Sequence, residues 1–598
     1  MPNRIYFTYA YIYLVRHRRV FRTKSGGKMK NTKLLIIASA LLASLFLIIG
    51  CSDNELPPAP DSSGSSDTTT APASTDETGS DETTAPAAPA DSEYEDLKYG
   101  DKRLSVKHIS VHDPSIVYDN TTGRYYLFGS HRAWAASNDL ASWNTIQVPS
   151  LESASSYNKI FKSNIEWSAL GGTQGNAKYD VTGNMWAPDV IYNEKMGKWC
   201  MYMSINGDNF YSSIALLTSD KINGKYEYAG TIVYSGFTSK KQAEMTDFVT
   251  VTGKTALSKY APNNRWDSTY GPNAIDPCVL YDKNGDLWMS YGSWFGGIFL
   301  LKLDNETGLR DMSYEYKTKA NVSDQYFGYR ICGGYGGTGE GSYIVWDKDT
   351  GYYYLYVSYC GLSAASENFN GYHIRLFRSE DITGPYVDAA GHNAVLKKAD
   401  GQENLGVKLF GNYALSGNKG NGNASNGYKS GGHNSAFIDS DGQRYLIYHT
   451  RFNTDNEWHE ARVHQQFVNE DGWLVTAVYE HQGSVISKDG YAVDDIVGEY
   501  EYVDHGLSNA TSLTGTKMLK TQKVTLNADG TISGDVSGTW DQHKGSDGNG
   551  YYVTMQIGKA TYKGVFFKQY DETSKHAETM TFTLIGDNNH SVWGSKVG

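Results

Sequence analysis

From about residue 105 onward, short apolar runs rich in Val, Ile, Tyr and Trp alternate with breaks of Gly, Asn and Asp, and no long stretch repeats its apolar residues with a helical period. This pattern predicts an all-β protein. Within it one unit recurs: an apolar strand ending on an aromatic residue or Ile, a turn of Asp or Asn with Gly, then an aromatic-rich second strand. The five copies are "DPSIVYDNTTGRYYLFGS" from Asp113, "APDVIYNEKMGKWCMYMS" from Ala187, "DPCVLYDKNGDLWMSYGS" from Asp276, "GSYIVWDKDTGYYYLYVS" from Gly341 and "HNSAFIDSDGQRYLIYHT" from His433.

Aligning Tyr118, Tyr192, Tyr281, Trp346 and Ile438 gives intervals of 74, 89, 65 and 92 residues, each long enough for a four-stranded sheet with variable loops. Sheets repeated around an axis leave only short protected edges, so five copies predict a five-bladed β-propeller over residues 105–487. A β-sandwich of generic hairpins is the alternative, but in-phase repeats across more than 330 residues exceed what one sandwich holds. Residues 488–598 hold a further set of short strands, such as "QKVTLNADGTISG", and predict a smaller, barrel-like β domain.

The column five residues before each aligned position holds Asp113, Ala187, Asp276, Gly341 and His433, with Trp186 and Glu340 one place earlier in the second and fourth copies. Equivalent positions of a radial repeat face one axis. Two Asp, one Glu, one His and one Trp are therefore expected at one mouth of the central channel. Carboxylates gathered in this way disfavour one another's ionisation and are costly unless used. Glycoside hydrolysis uses such a pair, a protonated acid for the leaving oxygen and a carboxylate that deprotonates water.

Composition narrows the class. A net charge of −12 and the lack of basic runs interleaved with aromatics argue against a nucleic-acid partner. The 46 Tyr and 13 Trp suit both core filling and stacking on sugar rings. None of the five cysteines lies in a metal-ligand spacing, and Cys200, Cys278, Cys332 and Cys360 read as small buried hydrophobes. "GYGGTG", Gly334 to Gly339, matches a dinucleotide cradle, but a strand rather than a helix follows it. "DKNGD" and "DSDG" read as hairpin turns, since the remaining ligands of a calcium loop are missing.

The N-terminal region has its own logic. "LLIIASALLASLFLIIG", residues 34–50, follows Lys30 and Lys33 and ends directly before Cys51. That is a signal-peptide core with its positive flank, and the sequence resembles a bacterial lipoprotein signal, which would lipidate the Cys51 thiol. Residues 1–51 are thus expected to be a signal segment, with residues 1–28 an upstream start-site extension because Met29 opens a normal signal. Residues 52–95 are Ser-, Thr-, Pro- and acid-rich with almost no large apolar side chains, and predict a disordered tether. The expected location is extracellular or at the cell surface, with the membrane touched only through the lipid.

The blade starts "HDPS", "MWAPDV", "NAIDP" and "GSWFGG", with "GTGEGSY" and "GGHNS", resemble glycoside hydrolase family 43 and within it its endo-α-1,5-L-arabinanases, over residues 105–485. The resemblance implies that Asp113 is the general base, that Glu340 is the general acid, and that Asp276 is a third carboxylate orienting Glu340 and keeping it protonated. It implies that His433 holds a calcium ion near the channel floor, and that waters fill most of the ion's other positions. Trp186 is implied to stack on a sugar, while Asn273, Ser293, Trp294 and Phe295 shape neighbouring subsites. The order Trp294–Phe295 reverses that of many members. The implied partner is a polysaccharide, arabinan or the side chains of pectin, acted on by a monomer. Two alternatives stay open: an exo-acting α-L-arabinofuranosidase or β-xylosidase of the same family, and a lipoprotein that binds arabino-oligosaccharide without cleaving it.

Overall fold

The computed structural model describes residues 103–171, 181–320, 322–335, 339–360, 371–398, 404–454, 456–507 and 518–597. Cys51, the signal segment, the tether and part of "GYGGTG" lie outside the described residues. Five antiparallel sheets follow in chain order. Their innermost strands are Ser115–Asp119, Met185–Asn193, Cys278–Tyr281, Glu340–Asp347 and Tyr428–Ile438. These strands neighbour one another in ring order, and the fifth lies against the first, so the ring is a closed five-bladed propeller. Four blades have four strands, while the third gains a fifth, Ser323–Asp324, from the long excursion after Ile298–Lys302.

The repeat is legible atom by atom. After each aligned position stands an Asp or Asn whose carboxyl or amide oxygen accepts the backbone N–H two residues on. These are Asp119 with Thr121 (3.0 Å), Asn193 with Lys195 (3.0 Å), Asp282 with Asn284 (2.8 Å), Asp347 with Asp349 (2.9 Å) and Asp439 with Asp441 (3.0 Å). Such turns are local alternatives to strand pairing and so fix where each hairpin bends. They account for "DKNGD" and "DSDG" without a metal.

The second recurring device sits at the blade entrance. Asp113, Ala187, Asp276, Gly341 and His433 all have left-handed φ, of 54°, 38°, 58°, 57° and 43°. For a residue with a Cβ this conformation costs about 1–2 kcal/mol, so its recurrence in every blade marks a built kink rather than an accident. Strand pairing shifts register across this point in the second, fourth and fifth blades. A bulge of this kind re-aims the side chain, here toward the axis.

Each kinked residue exposes an N–H that the strand ladder no longer takes. Ser130 Oγ accepts it from Ala187 (2.8 Å), Ser204 Oγ from Asp276 (2.9 Å), Ser358 Oγ from His433 (2.7 Å) and His449 Nδ1 from Asp113 (3.2 Å). Every one of these bonds joins one blade to the next. The three serines end their repeat units, as Ser293 ends the third. Two joints depart from the serine scheme: His449 takes the place of a serine between the fifth and first blades, and between the third and fourth Gly341 N–H goes to Asp276 Oδ2 (3.2 Å), which frees Ser293 for another task.

Residues 104–111 close the ring, with Leu104 N–H on Gln482 O, Lys107 bridged to Ser142 and Ala461 N–H on Ile109 O. Val111, Ile116, Leu127, Tyr445 and Ile447 then form an apolar seam between the first and fifth blades. The excursions at 150–180 and 235–270 include short helices, among them Ala154–Ile160, Lys162–Ala169, Lys240–Glu244 and Phe248–Thr252. Eight strands, from Gly498–Asp504 to Ser591–Lys596, close into a barrel. It shares a core with the last two blades, where buried Trp593 packs on Phe410 and Tyr413. The barrel's buried Glu572 reaches Tyr428 Oη (2.6 Å) and Glu480 N–H (3.0 Å) of the propeller.

Candidate active site

The kinks bring Asp113, Asp276, Glu340 and His433 to one end of the channel. Asp113 Oδ1 lies 2.8 Å from His112 Nδ1 and 3.0 Å from His433 Nδ1, and Oδ2 accepts the Ser130 hydroxyl. Burial opposes ionisation of Asp113, but His112 and His433 outweigh it and hold its carboxyl well below the usual range. A carboxylate offers about four lone-pair positions. Three are taken, and the one left is on Oδ2.

Glu340 is held from both sides. Its Oε2 accepts Trp294 Nε1–H at 2.6 Å and Ser293 Oγ–H at 3.1 Å, and its Oε1 accepts the hydroxyl of buried Tyr372 at 2.9 Å. Indole can only donate. Trp294 and Ser293 together fill both lone-pair positions of Oε2, while Tyr372 leaves one open on Oε1. Ser293 thus serves Glu340 at the joint where the other serines serve a backbone N–H.

Asp276 touches neither histidine nor Glu340 by hydrogen bond among the described residues, and its Oδ2 accepts Gly341 N–H. Burial, together with the charges of Glu340 and Asp113, raises its pKa above the ordinary carboxylate range, although His433 works against this. The sign follows for stability. A group whose folded pKa is raised adds stability below its unfolded value of about 4, and that stability is lost as pH rises through the folded value. Asp276→Asn, which keeps an oxygen for Gly341 N–H, should therefore raise the melting temperature at neutral pH by about 2 °C. The gain should shrink toward pH 4 in a thermal melt series, while activity falls at every pH.

The three carboxylates act on His433 as well. Burial lowers the basicity of its ring, but Asp113 first, then Asp276 and Glu340, push it up to about 9. With Nδ1–H given to Asp113, Nε2 is the nitrogen left to a proton or a cation. An imidazole whose other N–H is held by a carboxylate is the arrangement a metal-binding histidine needs, so the residues present fit such an ion.

Trp186 is partly exposed and anchored by Nε1–H on Gly183 O (2.8 Å). Trp294 and Phe295 are partly exposed and both left-handed, with φ of 49° each. Two bulky residues in succession there store strain at the channel mouth. Phe295 meets Phe210 edge to face at 4.8 Å, and the Trp294 edge is committed to Glu340. Asn273 Oδ1 is buried without a protein partner, an acceptor with capacity for a ligand hydroxyl.

Sequence reasoning missed His112, His449, Tyr372 and Ser130. His112 stands in the quoted motif "HDPS", one place before the tracked column, and His449 stands near the end of the fifth unit, one place before the position that holds serine in the other four. Tyr372 stands directly before the third strand of the fourth blade, His373–Ser379, which the repeat unit does not include. Its position could be found only from the fold.

Comparison with known proteins agrees with this geometry. Residues 104–474 match the family described as Glycosyl hydrolases family 43, and residues 479–594 match a C-terminal lipocalin-like domain. The chain is 35% identical over 509 residues to the extracellular endo-α-(1→5)-L-arabinanase of Thermotoga petrophila, covering 83% of this chain and 96% of that protein. It is also 35% identical to extracellular endo-α-(1→5)-L-arabinanase 2 of Bacillus subtilis, covering 82% and 93%. The crystal structure of the Thermotoga petrophila endo-1,5-α-L-arabinanase superposes with a TM-score of 0.68 at 34% identity, over 83% of this chain and all of that one. The chain belongs to glycosyl hydrolase family 43.

Proposed function

We propose that the protein is an extracellular glycoside hydrolase that cleaves internal α-1,5-L-arabinofuranosidic bonds of arabinan by single displacement with inversion. The observation that carries this reading is the complementary state of two carboxyl groups at one channel mouth. Asp113 is fixed as an anion with one open lone pair, and Glu340 has Oε2 closed by a donor and Oε1 left for a proton. Water attacks C1 of the arabinosyl unit and gives its proton to Asp113 Oδ2. The C1–O5 bond breaks, and the Glu340 proton goes to the leaving O5.

Two relatives 35% identical to this chain, each matched over more than nine-tenths of its length, are named as endo enzymes, which favours cleavage within the chain over exo action. A protein that only bound sugar would gain nothing from carboxyl groups gathered where each disfavours the others' ionisation. Digestion of debranched arabinan tests the reading: a ladder of oligosaccharides early in the time course supports endo cleavage, arabinose alone indicates exo cleavage, and no new reducing ends removes the hydrolase.

His433 would hold a calcium ion through its ring nitrogen, with waters supplying oxygen ligands, and the ion would act on the carboxylates by its charge. Treatment with a chelator should lower turnover and added calcium should restore it; activity indifferent to both would remove the ion. Trp186, Asn273 and Phe295 are assigned to sugar contacts. Cys51 is proposed as the lipid-bearing residue that anchors a monomer at the cell surface, and Cys51→Ser should abolish incorporation of labelled palmitate.

A further inference from the structure

We propose that Arg451, which is buried and makes no hydrogen bond to Asp113 among the described residues, positions the general base by fixing the ring tautomer of His112. The inference rests on the reading of Asp113 as that base. Arg451 comes from the second strand of the fifth blade, Arg444–Phe452, and is 5% exposed. Its Nε–H donates to Glu457 Oε2 at 2.7 Å, which sets the plane of the guanidinium. From there Nη2 reaches His112 Nε2 and Nη1 reaches His449 Nε2, each at 3.4 Å.

A guanidinium has donors only and does not lose its proton in proteins. A ring nitrogen that accepts from it must carry a lone pair, and a neutral imidazole has one lone pair and one N–H. His112 therefore has its proton on Nδ1, the atom 2.8 Å from Asp113 Oδ1. Without the guanidinium, the choice of tautomer rests on Asp113 alone, and Nε2 is open to a proton. The Nε2–H form would turn a lone pair toward the carboxylate and drive Oδ1 away.

His449 meets two opposed demands. Asp113 N–H needs a lone pair on Nδ1, the guanidinium needs one on Nε2, and the neutral ring has one. The backbone bond at 3.2 Å is the shorter, so Nη1 is left as a contact and the hydrogen bond of Arg451 is made at His112. His449 contributes by stacking on His112, with ring centroids 3.9 Å apart and planes 22° apart, which holds the His112 ring in the orientation its N–H requires.

His112, Asp113 and His449 present atoms close enough together to suggest a second metal ion. The guanidinium beside both rings speaks against that. It is a fixed positive charge, and the ring nitrogen it does not face is already spent on Asp113 in each case.

The test uses the full chain with Arg451→Met, Arg451→Lys and Glu457→Gln. Turnover of debranched arabinan is measured beside 15N spectra of histidine-labelled protein, with the His112 signals assigned by their loss in His112→Gln. In Arg451→Met, kcat should fall about tenfold or more while KM stays within about twofold, because a base is misplaced and no sugar contact is lost. The His112 ring should change from a single Nδ1–H form to a mixture. Arg451→Lys keeps the charge but loses the fork, and should retain more activity than Arg451→Met with the His112 signals shifted part of the way.

A folded Arg451→Met with unchanged kcat, or with unchanged His112 signals, would overturn the proposal. Should that variant not fold, Glu457→Gln, at a half-exposed position, leaves Arg451 present but loosely held; unchanged His112 signals there would overturn it equally. A wild type inactive on arabinan would sink the functional reading while leaving the tautomer measurement intact.

Discussion

Glu340→Ala reduces turnover of debranched arabinan by about 10³-fold, with a much smaller change in KM. The leaving group is a sugar hydroxyl, a poor one unless protonated, and Oε1 of Glu340 is the carboxyl position at the mouth that Trp294 and Ser293 leave to a proton. The loss should depend on the leaving group. An arabino-oligosaccharide bearing a p-nitrophenol group departs without help, so the variant should lose far less on it. Initial rates on the two substrates make the comparison, and equal losses on both would take the acid role from Glu340.

Asp113→Ala lowers turnover by a similar factor, about 10³-fold, but the loss is the same on both substrates. Deprotonation of water is needed whichever group leaves. Azide needs no base, so adding it should restore part of the rate and yield an arabinosyl azide of inverted configuration, detectable by mass and NMR. A variant that loses its activity on arabinan alone, or that azide leaves unchanged, would place the base elsewhere. The truncation also leaves the N–H of His112 and the charge of His433 without their partner. A melting curve run beside the kinetics separates a change of chemistry from a loss of fold.

The blade count and the convergence of the three carboxylates were legible because a radial repeat turns a sequence column into a ring. Five Asx turns and five left-handed entrance residues carry that periodicity into the backbone. What escaped is the part of the site that breaks the repeat. Ser293 looks like Ser130, Ser204 and Ser358 in sequence, and only the structure places its hydroxyl on Glu340. Tyr372 and Arg451 come from outside the repeat's first hairpin or from its unmarked end, where no spacing ties them to the axis. The helices within 150–180 and 235–270 are too short for their period to stand out from the surrounding loops.

The central claim is that carboxyl groups from the first and fourth blades act on opposite faces of one sugar. Proton NMR of the anomeric region during the first minutes of hydrolysis tests it most directly, before the new reducing end equilibrates. The β-anomer of the arabinofuranosyl end should form first from the α-linked chain. Initial release of the α-anomer would contradict the account, because it would require a covalent intermediate and two displacements.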